Sequence, residues 1–212
     1  VSLTEFAGDF EAHLTVRCEV SEVDALAGWA GARGVKFSHI VLARGRRASQ
    51  PMLTTRHRGA FADVMAATRR TARALAADGF EAVRAKVEAA PWSRGVPRTD
   101  EDAAALGPGR YFEHHVKLLL PPGTGDGALA DLVVPHAAHL SRNARRVRDD
   151  GVAERFVTQR CRLVGDPAAR RRLDALVAAL RRRGHPIAEV EREFVVHDSD
   201  ESMDAGWIEE TP

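Results

Sequence analysis

Two stretches that echo each other constrain this chain most: Phe10-Glu11-Ala12-His13-Leu14-Thr15-Val16 returns as Phe112-Glu113-His114-His115-Val116-Lys117-Leu118. Both alternate with the two-residue period of a β-strand, so Glu11, His13 and Thr15 share one face, as do Glu113, His115 and Lys117 in the echo. Leu14 and Val16, then Val116 and Leu118, take the opposite face. A chain that uses this pattern twice must bury two apolar faces and leave two charged faces to meet something else.

The elements around the two strands repeat in the same order. In the first half, Ser21 caps a helix with Val23, Leu26, Ala27 and Ala30 on one side, ended by Gly31 or Gly34. Strands follow at 36–43 and 51–58, separated by a basic loop at 44–50. A helix over 60–78 carries Phe61, Val64, Met65, Ala72 and Leu75 and stops at Asp78-Gly79, and an alternating strand over 82–89 closes the unit. In the second half, strand 111–120 leads through a loop at 121–127 to a short segment at 128–134. A weak strand at 138–142, a basic loop at 143–150 and a strand at 154–163 follow. Asp166-Pro167 opens a helix with Leu173, Leu176, Val177 and Leu180 on its stripe, and the last strand spans 187–196. His39 then falls with His139, and Gly79 with Gly184.

The expected fold is therefore α+β, with two tandem ferredoxin-like β-α-β-β-α-β repeats forming a pseudo-symmetric two-lobed protein. Residues 1–92 form the first lobe and 93–109 a Pro- and Gly-rich linker, with a helical turn at 100–106. Residues 110–197 form the second lobe, and 198–212 an acidic tail with Trp207 and Ile208 as its anchors.

Composition narrows the function classes. The 31 basic and 30 acidic residues leave a net charge of +1, so no overall field draws the protein to nucleic acid or an anionic membrane. The loops Arg44-Gly45-Arg46-Arg47 and Arg142-Asn143-Ala144-Arg145-Arg146 lack an aromatic platform, and Arg170-Arg171-Arg172 and Arg181-Arg182-Arg183 read as the solvated face of a helix. Nucleic acid is not an expected partner. No run approaches the ~20 apolar residues of a membrane span, and Cys18 and Cys161 read as small hydrophobes in a reducing compartment, so the expected location is the cytoplasm.

In the ferredoxin-like topology the first and last strands of each lobe are neighbours. Arg84, Lys86 and Glu88 then lie beside Glu11, His13 and Thr15, and Glu189, Glu191 and Glu193 beside Glu113, His115 and Lys117. One reading is a polar cleft between the lobes that binds, and hydrolyses or transfers, a small anionic, phosphorylated molecule. His13, Glu11, His115 and Glu113 are the first candidates for acid–base chemistry, with His57 on a neighbouring strand. Arg17, Arg84, Lys86 and Lys117 are candidate ligand contacts. Glu113, His115, Glu189 and Glu191 form a candidate site for a divalent cation, where oxygen ligands suit magnesium or manganese and imidazoles admit zinc. The competing reading is a non-catalytic module whose charged sheets form salt bridges within the chain or in a homodimer.

His13-Leu14-Thr15 and His139-Leu140-Ser141 also fit the His-x-Thr/Ser signature, and in these residues the chain resembles the 2H phosphoesterases. That resemblance implies two lobes that each contribute one such motif, with paired histidines acting on a phosphodiester. The internal repeat departs from it, because it matches His13 with His115 and His139 with His39.

Overall fold

The computed structural model describes residues 5–121, 123–145 and 151–207. Pro122, the part of the basic loop at 146–150 and the anticipated anchor Ile208 lie outside them. Eight strands follow in chain order: β1 (Ala7–Arg17), β2 (Lys36–Leu42), β3 (Ser49–Ala60), β4 (Glu81–Ala89), β5 (Tyr111–Leu120), β6 (Ala138–Asn143), β7 (Ala153–Arg162) and β8 (Ile187–Asp198). The α-helices among the described residues are α1 (Val23–Ala32), α2 (Phe61–Ala77), α3 (Asp100–Leu106), α4 (Asp126–Val133) and α5 (Asp166–Arg182). The fold is thus mixed α and β, and no helix among the described residues is long and apolar enough to cross a membrane.

The strands close into an antiparallel barrel in the order β1-β3-β2-β6-β7-β5-β8-β4. Within the first half the neighbours run β4-β1-β3-β2, and within the second β8-β5-β7-β6. The two sets meet edge to edge along two short seams. One joins Ile40, Val41 and Leu42 of β2 to Asn143, Arg142 and Ser141 of β6; the other joins residues 86–89 of β4 to residues 194–198 of β8. The anticipated cleft between two facing sheets is therefore instead the inside of one barrel. Closure is the physical alternative to face-to-face packing, because it pairs edges that four-stranded sheets would leave bare.

The apolar faces point outward under the helices. Leu14, Val16 and Leu53 of the sheet pack with Leu26 and Trp29 of α1 and Leu75 of α2. Val116, Leu118 and Val157 pack with Leu129 and Val133 of α4 and with Leu173, Leu176 and Leu180 of α5. A third cluster bridges the halves through Phe10, Val87, Phe112 and Phe194, with the Phe112 and Phe194 rings 4.8 Å apart. Each such Leu or Phe, buried fully, contributes roughly 1.5–3 kcal/mol, so the packed outer face stabilises the sheet while its inner face stays free for charge.

The segment expected to link the halves is built onto the barrel. Thr99 caps α3, its Oγ1 accepting from the Asp102 N–H at 3.1 Å, and the Asp100 carboxylate accepts from the Gly165 N–H at 2.8 Å. Gly8, at φ 147°, lies so close to Ser93 that a Cβ would sit 2.4 Å from its Oγ, which excludes any larger residue. Cys18 and Cys161 are free thiols, the latter buried.

A charged barrel interior as the candidate functional site

The strand period puts alternate residues of every strand inside. The register of β1 against β4 runs unbroken from Phe10 to Thr15, with His13 opposite Lys86 and Thr15 opposite Arg84, and shifts only between Thr15 and Val16. A second shift, between Val87 and Glu88 against β8, brings Asp198 to the side of Arg84 although Glu189, Glu191 and Glu193 alternate on the other parity. The enclosed cavity is about 340 Å³.

Its floor is an ion-pair network. Arg84 meets Asp198 at 2.5 Å and Asp204 at 2.9 Å, and Arg160 meets Glu113 at 2.6 Å and Asp204 at 2.5 Å. Lys86 holds Glu88 at 2.7 Å and also pairs with Glu113. These side chains are almost wholly buried, Lys86 the most exposed at 11%. Burial opposes ionisation of Glu113, but the Lys86 and Arg160 charges outweigh it and bring its carboxyl down to about 2. For Asp204, Arg84 and Arg160 likewise overcome burial and hold the carboxyl well below its ordinary range.

The middle layer holds the two echoed histidines in matching settings. His13 Nδ1 lies 2.9 Å from Thr54 Oγ1, and His115 Nδ1 lies 3.0 Å from Thr158 Oγ1. In the ladders His13 is opposite Thr54, and His115 is opposite Thr158. The second ring nitrogens differ. His13 Nε2 is 2.7 Å from Glu88 Oε2, whereas the carboxylates near His115 Nε2 stand farther off, Glu113 at 3.4 Å and Glu193 at 3.5 Å. Burial, and after it the Glu88 carboxylate, push Glu193 well above the ordinary carboxylate range. Glu88 goes the other way, since Lys86 and His13 overcome its burial.

Ligand atoms of Glu88, His115 and Glu193 all lie within 4.8 Å of one another, as do those of Glu11, His13 and Glu193. Two oxygens or nitrogens bound on opposite sides of one hard cation at ~2.1 Å stand about 4.2 Å apart, so either set can converge on a single ion with small adjustments. The mouth carries Glu11 ion-paired to Arg56 at 2.7 Å, Lys36 on β2, and the exposed Glu189 and Glu191 of β8.

The structure brings most of the anticipated site residues together and removes three. His13, Glu11, His115, Glu113, Arg84, Lys86, Lys117, Glu189 and Glu191 all line the cavity. Glu113, however, has both oxygens committed to Lys86 and Arg160, and Lys117 is paired with Glu154 at 3.3 Å. His57 takes the outer face of β3, where its Nε2 lies 2.8 Å from Thr55 Oγ1, and Arg17 pairs with Glu81 at the exposed strand ends. His139 packs beside the Trp207 ring and does not line the cavity, so the two His-x-Thr/Ser motifs do not converge there.

Sequence reasoning missed Arg160, Asp204, Thr54 and Thr158. The three strand residues were accessible through alternation, since Thr54 and Arg56 of β3 and Thr158 and Arg160 of β7 share the inward parity. Asp204 carried no such signal, because it sits in a short turn beyond the last strand.

No family model and no curated protein matches the chain. Among solved structures, the small subunit of acetolactate synthase from Thermotoga maritima aligns over 88% of this chain and 94% of its own, at 12% identity and a TM-score of 0.31.

Proposed function

We propose that the barrel binds a divalent cation and, with it, a small phosphorylated anion, on which it acts by hydrolysis or transfer at phosphorus. The observation that carries this reading is His115 Nε2, which among the described residues has no partner closer than Glu113 at 3.4 Å and faces Glu193, itself crowded against the Glu88 carboxylate. An under-engaged imidazole beside one carboxylate crowded by another favours a cation, and the oxygen-rich set suits magnesium or manganese, with zinc admitted by the imidazole. When bound, the ion would supply Lewis-acid polarisation of a phosphoryl oxygen. Lys36 and Arg56 stand at the mouth, where they can meet the remaining anionic oxygens. His13, oriented by Thr54 and Glu88, is the residue to take a proton from the attacking hydroxyl or water. In the ligand-free chain Arg84 and Lys86 are engaged in the floor network.

The matched His–Thr pairs and the parallel strand orders of the two halves support reading the chain as two tandem ferredoxin-like repeats whose duplicated inner faces have diverged. One inner face keeps the basic Arg84 and Lys86, the other Glu189, Glu191 and Glu193.

The test is manganese titration of chelator-treated protein, followed by electron paramagnetic resonance, with and without a panel of nucleotides and sugar phosphates. Saturable binding that weakens roughly 10- to 100-fold in His115→Ala and Glu193→Gln is expected. Absence of saturable binding, or binding indifferent to both substitutions, refutes the reading. The fully paired floor favours a second reading, a non-catalytic module stabilised by internal salt bridges, in which substitution of Lys86 lowers stability and no ligand binds.

A further inference from the structure

Asp204 is not part of any strand, yet its carboxylate lies at the centre of the barrel floor. It accepts from Arg84 Nη1 and Nη2 at 2.9 Å, from Arg160 Nη2 at 2.5 Å and from Gln50 Nε2 at 3.1 Å. Two guanidinium groups and an amide converging on one carboxylate form the donor set that recognises a carboxylate or phosphate ligand. A further group points to the same place. Tyr111, 1% exposed on the inward parity of β5, lies under the Arg160 guanidinium at 5.0 Å from its ring centre, and among the described residues its hydroxyl has no hydrogen-bond partner. A buried donor left unused beside a full complement of arginine donors is what an exchangeable oxyanion with more acceptor atoms than Asp204 would satisfy.

Asp204 arrives there on a short strap, residues 201–207, in which Met203 and Trp207 are buried as well. Trp207 Nε1 donates to the Leu140 carbonyl at 2.8 Å, the Arg46 N–H to the Ala205 carbonyl at 3.0 Å, and Arg162 pairs with Glu201 at 2.8 Å. Gly45 lets the strap lie close, since a Cβ there would stand 3.1 Å from the Trp207 nitrogen.

We propose that Arg84, Arg160, Gln50 and Tyr111 form an oxyanion subsite at the barrel floor, occupied in the ligand-free chain by its own Asp204 and yielded to a carboxylate or phosphate group as the strap swings out. The exchange replaces one anion by another, so the floor charge is conserved. The subsite is distinct from the cation site at Glu193 and His115 and stands without it.

The experiment uses the full chain in a Trp29→Phe, Trp92→Phe background, which leaves Trp207 as the sole indole. Inorganic phosphate and malonate are the probes, with chloride at equal ionic strength as the control. Acrylamide quenching of Trp207 is expected to rise saturably with one of them, and the one that acts identifies the oxyanion class. In Asp204→Asn the same anion is expected to bind at least about tenfold more tightly, because a tethered competitor acts at an effective concentration in the millimolar range. The thermal midpoint of that variant is expected to rise more than that of the parent on adding the anion. A buried, unquenched Trp207 at saturating phosphate and malonate, with no selective stabilisation of Asp204→Asn, overturns the proposal. Should Asp204→Asn fail to fold, the quenching result decides alone. Manganese binding measured on the same samples reports the cation site separately, so a failure of one assignment does not mimic failure of the other.

Discussion

Replacing Glu113 by Gln tests whether the floor network stabilises the barrel through charge. The Glu113 carboxyl is 3% exposed and lies between Lys86 and Arg160, the latter at 2.6 Å. Burial works against its ionisation, but the two cations bring it from 4.5 to about 2. At roughly 1.4 kcal/mol for each tenfold in a protonation equilibrium, that depression corresponds to about 3 kcal/mol of folding stability. Breaking a buried ion pair by removing one partner falls at about 3–5 kcal/mol, the same size by a separate route. Because the folded value lies below the unfolded one, this stability is fully present above 4.5 and is lost as the pH falls from there towards 2. Urea unfolding followed by tryptophan fluorescence should therefore show Glu113→Gln about 3 kcal/mol less stable than the parent near neutral pH. The gap should narrow steadily below about pH 4.5. A gap under about 1 kcal/mol at neutral pH, or one that does not narrow in acid, refutes the reasoning.

Four other substitutions probe separate parts of the molecule. His114 is wholly buried on the helix side of β5 and burial lowers it to about 4, so it costs stability as the pH falls from 6.5 towards 4. His114→Leu should flatten the pH dependence of unfolding in that window, and an unchanged slope counts against it. Glu193 titrates well above 4.5, so the stability tied to its proton is present at low pH and lost as pH rises through its folded value. Glu193→Gln, which mimics the protonated form, should gain stability relative to the parent with increasing pH while losing manganese affinity; loss of both in thermal and manganese titrations sinks the assignment. His57→Ala and Arg17→Ala, which lie outside the cavity, should leave manganese and phosphate-ester binding within about twofold of the parent by calorimetry.

What could be read from the chain beforehand was the part governed by local period. The alternation of Glu11, His13 and Thr15 and of Arg84, Lys86 and Glu88 placed those residues on common faces, and the structure has them inside together. Alternation cannot distinguish two charged faces pressed together from two charged faces rolled into one tube, because both leave the same residues inward. What selects the tube is the meeting of β2 with β6 and of β4 with β8, and three or four residue pairs along each seam leave no mark in the sequence. His57 was misplaced by the same logic, since proximity of its strand to β1 says nothing about parity once Arg56 takes the inward position. Asp204 was out of reach because a carboxylate in an acidic terminal stretch shows its importance only when two distant arginines close around it.

The strap that carries Asp204 also decides how the molecule comes apart. Asp204 is clasped by Arg84 from the first four strands and by Arg160 from the last four, while Trp207 is tied to Leu140 and its neighbour Ala205 to Arg46. It is a cross-brace over a tube whose own joints between halves are short. Cutting the chain before residue 201 would leave two four-stranded sheets, each with its own helices and hydrophobic cluster, joined along those joints and through the cluster of Phe10, Val87, Phe112 and Phe194. The intact chain is expected to melt in one cooperative transition and the shortened chain in two successive events, with the amides of residues 40–42 and 86–89 the first to lose protection from hydrogen exchange.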